Sequence, residues 1–99
     1  MYVIREVLHC RPGKVRPLLE GFKAISAGLE DMGHAPMRLL TDVTGEPFWT
    51  LVAETTVDRI DDFFALEQKL MANDAVRGAM SGYHDLVQEG AREIFRIES

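Results

Sequence analysis

From Tyr2 to Cys10 the chain alternates between two interleaved sets, Tyr2, Ile4, Glu6, Leu8 and Val3, Arg5, Val7, His9. Each is mainly apolar with one charge near its middle, which predicts a strand covered on both faces. Arg11-Pro12-Gly13 turns the chain, and from Lys14 the apolar residues fall at Val15, Leu18, Leu19, Phe22, Ile25, Leu29 and Met32. That spacing is one face of a helix, with Arg16, Glu20, Lys23 and Glu30 outward. Pro17 is tolerated only in a first turn, so the helix should begin near Gly13 or Lys14; Gly33 supplies its stop. A second strand follows over 35–44, with Met37, Leu39 and Val43 on one face and Arg38, Leu40 and Asp42 on the other. Gly45-Glu46-Pro47 makes a hairpin turn into Phe48–Glu54, where Trp49, Leu51 and Ala53 alternate with Phe48 and Val52. This third strand also reads as covered on both sides. Asp58 is the expected N-cap of a second helix, with Asp61 and Asp62 in its first turn and a stripe of Ile60, Phe63, Phe64, Leu66 or Glu67, Leu70 and Met71. Asn73-Asp74 interrupts it. A further helical piece over 75–89 carries Val76, Ala79, Met80, Tyr83, Leu86 and Val87; Gly90 ends it, and 91–97 forms a fourth strand with Phe95 and Ile97 on its apolar face.

The order strand, helix, strand, strand, helix, strand predicts one domain spanning residues 1–99, a ferredoxin-like α+β sandwich. Its antiparallel four-stranded sheet has spatial order 4-1-3-2 and helices on one face. That order centres strands one and three, the two with apolar residues on both faces. It also leaves one sheet face without a cover, and a second copy of the chain is the expected cover: a homodimer joined through the face opposite the helices.

Composition narrows the partners. Hydrophobic residues make up 46% and charged residues 27%, as in ordinary globular proteins. A net charge of −5 disfavours nucleic acid and anionic membrane surfaces, which call for clustered Lys and Arg. No apolar run approaches the roughly 20 residues of a membrane span. The N-terminus enters a strand without a signal-peptide pattern, and Cys10, the single cysteine, can make no internal disulfide. A cytoplasmic location is expected.

The Pro12-Gly13-Lys14-Val15 segment opening an amphipathic helix after strand one, the hairpin, and the late helix running into a final strand resemble the dimeric α/β-barrel superfamily. The NIPSNAP-like and antibiotic-biosynthesis-monooxygenase-like small domains are the members it is most similar to. The resemblance implies two sheets packed face to face across a two-fold axis and a ligand cleft between each sheet and its own helices. The superfamily's haem-degrading Asn–Trp–His constellation has no counterpart: Trp49 falls on a strand, and strand one contains no Asn.

Candidate chemistry is sparse. Tyr83 and His84 form the pair best suited to catalysis, since Tyr83 lies on the apolar stripe with His84 about 100° round the helix. Together they could orient a substrate or shuttle a proton near neutral pH. The plainer reading packs Tyr83 in the core and leaves His84 solvated beside Asp85. His9 at a strand end, Arg5, Trp49, Phe22 and Phe64 are candidate ligand-binding residues. Arg5 and Glu6 face opposite ways, so one of them is a cleft charge; alternatively both sit in ion pairs, Arg5 with Glu54 or Asp42, Glu6 with Arg38, Arg92 or Arg96. His9, His34 and His84 have no metal-ligand spacing, and nucleotide, redox-disulfide and nucleophile-elbow motifs are absent, so neither metal nor cofactor is expected. Three functions follow: a homodimeric module binding a small apolar or aromatic molecule, a cofactor-independent monooxygenase-type enzyme acting on an aromatic, or a dimer whose role is assembly alone.

Overall fold

A computed structural model of the chain describes residues 1–99. The elements run β1 (Tyr2–Cys10), α1 (Val15–Asp31), β2 (Arg38–Thr41), β3 (Thr50–Val57), α2 (Ile60–Met71), α3 (Asp74–Ala79), α4 (Tyr83–Leu86) and β4 (Val87–Arg96). The antiparallel sheet has order β2-β3-β1-β4, which is the expected 4-1-3-2 read from the other edge. All helices lie on one face, and the molecule is a slab of 35 × 35 × 17 Å. No helix is long and apolar enough to cross a membrane.

The core sits between that face and α1. Leu8 and Cys10 of β1 and Leu51 and Ala53 of β3 point into it, against Leu18, Phe22, Ile25 and Leu29 of α1 and Leu66 and Leu70 of α2, while Ile4, Val57 and Phe63 form a smaller cluster of their own. Leu51 is 0% exposed; burying such a side chain contributes about 1.5–3 kcal/mol. Two glycines on α1 set the helix packing. A Cβ at Gly21 would lie 3.0 Å from the Ala79 carbonyl oxygen, and one at Gly28 would lie 3.3 Å from Val76 Cγ2. α1 therefore leans on α3, with only slight contact to α2, and an angle opens between α1 and α2.

Several boundaries differ from the sequence reading. β3 starts at Thr50 rather than Phe48, because Trp49 has φ 68°, a left-handed backbone that a strand cannot continue through. Phe48 is 82% and Trp49 44% exposed, so neither fills the core. The same strand continues through Thr55, Thr56 and Val57, since β-branched residues suit an extended chain, and these pair with Ile4, Val3 and Tyr2 of β1. α2 begins one residue later than expected: Arg59, not Asp58, holds the N-cap position, without a side-chain cap bond. β2 is confined to Arg38–Thr41 because Asp42 turns its carboxylate to accept the Thr50 N–H at 2.7 Å. Lastly, the helical piece over 75–89 is two short helices. Gly82, with φ 81°, breaks it, and β4 already starts at Val87, opposite Cys10. Asn73 caps α3 by accepting the Val76 N–H at 3.1 Å. Gly90 lies inside β4, where a Cβ would press on Leu8 Cδ2 at 3.1 Å.

The uncovered face carries Val3, Val7, Val52, Leu40 and Phe95, the last 48% exposed. Across its middle runs a row of alternating charge, one residue per strand: Arg38, Glu54, Arg5, Glu93.

Candidate ligand site

In the angle between α1 and α2 lies a cavity of about 200 Å³. Its floor is Glu6 and Leu8 of β1 and Thr55 of β3; its walls are Phe22, Ile25 and Leu29 of α1 and Phe63, Leu66, Glu67, Leu70 and Met71 of α2. Met37, Met80, Tyr83 and Arg92 complete it, so that 11 of its 15 lining residues are hydrophobic. The polar groups are mostly gathered together. Register places Arg92 directly opposite Glu6. Arg92 Nε donates to Glu6 Oε1 at 2.5 Å and Nη2 to Glu67 Oε2 at 2.6 Å, while the guanidinium lies 4.9 Å from the Phe63 ring centroid. Burial works against the Arg92 charge, but the hydrogen bonds and charges of Glu6 and then Glu67 outweigh it and raise its pKa.

Tyr83 stands beside this cluster. Burial, then the Glu6 carboxylate and Cys10, push its phenol above the ordinary value, so its hydroxyl stays protonated at neutral pH. A wider groove outside the cavity is lined by the same Glu6, Leu8, Tyr83 and Arg92 together with His84 and Glu89. His84 is exposed, with its ring edge-on to Tyr83 at 5.5 Å between centroids.

Of the residues singled out in the sequence, Tyr83 and Phe22 line the cavity and His84 reaches only the outer groove. The others lie elsewhere, each for a geometric reason. Arg5 is on the odd set of β1 and so on the uncovered face. There its Nε donates to Glu54 at 2.8 Å; this bond first, against burial, raises its pKa. The cleft charge is Glu6. His9 shares that odd set. Its Nδ1 lies 3.0 Å from Thr50 Oγ1, whose own proton goes to the Pro47 carbonyl at 2.6 Å, so Nδ1 is the donor. Trp49 sits in a separate shallow depression with Phe48, Asp42 and Arg16. Phe64 follows the cavity-lining Phe63 by one helical position and points outward, 45% exposed. The sequence marks Arg92 only as one of three partners for Glu6 and Glu67 only as an alternative to Leu66 in the α2 stripe, and it does not mark Thr55. A shift of register between His9 and Cys10, which skips Gln88, sets Arg92 against Glu6; unbroken pairing from Cys10 opposite Val87 would put Ala91 there.

No family model and no curated protein matches the chain. Solved structures do. An uncharacterized NIPSNAP domain protein from Burkholderia xenovorans superposes with a TM-score of 0.79 at 16% identity, over 100% of this chain and 96% of that one. A NIPSNAP family protein from Agrobacterium tumefaciens gives 0.81 at 16% identity, over 99% and 86%. The chain has the NIPSNAP-type fold. The same fold extends to a protein from Nitrosomonas europaea named after the antibiotic biosynthesis monooxygenases, with TM-score 0.76, 13% identity and 100% of both chains covered. The resemblance read from the sequence thus holds for the fold of the single chain.

Proposed function

We propose that the chain is a homodimer, joined through its uncovered sheet face, that binds a small, largely apolar aromatic molecule in the cavity between sheet and helices. The observation that carries the reading is the cavity itself: an apolar chamber with one polar cluster at its mouth is the usual form of a small-molecule site. Its volume of about 200 Å³ suits one or two rings, since a cavity of about 150 Å³ accepts benzene. An open chamber also counts against a role in assembly alone. For the dimer, a 35 × 35 Å face with apolar rows flanking a charge-neutral ionic row is ample for the roughly 800 Å² per partner of a stable interface.

Light scattering at micromolar concentration tests the dimer; a folded particle at the 11.2 kDa of one chain would refute it. Calorimetric titration with 1-naphthylmethanol tests the cavity. Binding is expected in the native protein and lost in Ile25→Phe, which places a ring in the chamber, with circular dichroism confirming the fold. Unchanged binding in that variant removes the cavity from the account.

The contact of His84 with Tyr83 at the mouth favours a second reading, cofactor-independent oxidation of a bound aromatic, with Tyr83 orienting the substrate and His84 moving a proton. Oxygen uptake with a polycyclic phenol, abolished in Tyr83→Phe and His84→Ala, supports it; no uptake leaves the binding module alone.

A further inference from the structure

The mouth of the cavity has an unbalanced charge. Glu6 and Glu67 both face Arg92, and no other charged residue lines the chamber. The adjoining groove adds Glu89 and no further Arg or Lys. Arg92 is already committed: Nε and Nη2 each hold a carboxylate, and its face lies against Phe63. Nη1 keeps its N–H groups, but a ligand anion reaching them would lie beside two carboxylates, in a partly desolvated place where like charges repel. For a cation the situation is reversed. Each glutamate gives one oxygen to Arg92, Oε1 of Glu6 and Oε2 of Glu67. Glu6 Oε2 and Glu67 Oε1 are left as acceptors, and Tyr83, whose phenol feels the Glu6 carboxylate, lines the same cavity.

We infer that the cavity selects molecules whose one- or two-ring apolar body carries a protonated amine, held between Glu6, Glu67 and Tyr83, and that it rejects carboxylates of the same shape. This rests on the cavity being a ligand site, as proposed above. It adds the charge of the ligand's head group, which neither the fold nor its relatives specify.

Three probes sharing one body separate the two claims: 1-naphthylmethylamine, 1-naphthylmethanol and 1-naphthoate, titrated calorimetrically at neutral pH and low salt. The amine should bind about tenfold tighter than the alcohol, and naphthoate weakest, as expected for a net negative site of intermediate dielectric. Glu6→Gln and Glu67→Gln, on a strand and a helix respectively, should each lower the amine-to-alcohol ratio several-fold; Glu67 is the more exposed, so its variant retains the fold if the strand variant does not. Naphthoate binding as tightly as the amine, or an amine preference untouched by either substitution, overturns the inference. Alcohol and amine binding equally in the native protein overturns it too, while leaving the cavity reading in place. Failure of all three probes to bind overturns both.

Discussion

Arg5 and Glu6 are neighbours at the middle of one strand, and the pleat sends them to opposite worlds. Arg5 joins Arg38, Glu54 and Glu93 in a row across the uncovered face, where each charge has an opposite neighbour on the next strand. Glu6 joins Arg92 and Glu67 under the helices, where two carboxylates share one guanidinium. The first row is neutral and repeats across the sheet, as suits the proposed interface, which would close without burying unpaired charge. The second is unbalanced and borders an apolar chamber, as suits recognition. Chemistry of the same kind thus suits the two proposed roles, and what separates them is whether the carboxylates and guanidinia cancel.

The comparison can be broken at either face. The largest effect belongs to the covered side: Leu51→Ala should cost about 2–5 kcal/mol in chemical denaturation, whereas its neighbour Val52→Ala, on the other face, should cost under about 1 kcal/mol at concentrations where the chain is monomeric. Equal losses would mean that the two faces are equally covered within one subunit. Next comes Glu54→Gln. Glu54 accepts from Arg5 at 2.8 Å and Arg38 at 3.1 Å, so the variant leaves two guanidinia without their carboxylate. On a wet surface that matters little, but in a closed interface it should raise the dimer Kd by about a hundredfold, measured by sedimentation. A Kd unmoved by the change would place the interface elsewhere.

Smaller effects sharpen the covered side. Gly21→Ala gains about 1 kcal/mol of helix propensity yet pushes a Cβ onto the Ala79 carbonyl, so a net loss of about 1–2 kcal/mol is expected by calorimetry. A gain would show that α1 and α3 can separate freely. The smallest effect is in alkali. The Tyr83 phenol is held above its ordinary value, so folding favours the protonated form. Below about pH 10 both states are protonated and stability is level; as pH rises past that range the unfolded chain ionises first and stability falls. Denaturation from about pH 8 to pH 11 should show that fall reduced in Tyr83→Phe; identical profiles would mean that Tyr83 is not desolvated.

Much of the architecture was legible because it depends on periodicity. The apolar spacing from Val15 to Leu29 could only be a helix, and the double alternation around Arg5 and Glu6 could only be a central strand. The errors fell where a single backbone angle outweighs hydropathy. Trp49 looks like a strand residue by every propensity and is removed from the strand by its left-handed φ. Tyr83 to Glu89 kept a helical spacing, yet Cys10 needed a partner on its far side and drew Val87 into the sheet. Of the candidate site, Tyr83 and Phe22 were visible as apolar-stripe residues. That Arg92 joins Glu6 to Glu67 was not, since the cluster forms only where two different elements meet β1.

By itself, the order of residues determined the element types, the strand order and the presence of a sheet face that one subunit does not cover, because these follow from local periodicity and short connections. Only the tertiary structure decided that Glu6 and not Arg5 faces the helices, that α1 tilts onto α3 through Gly21 and Gly28, and that a chamber stays open beside α2. Those outcomes turn on a one-residue register and on sub-ångström packing between segments far apart in the chain, which no local pattern encodes.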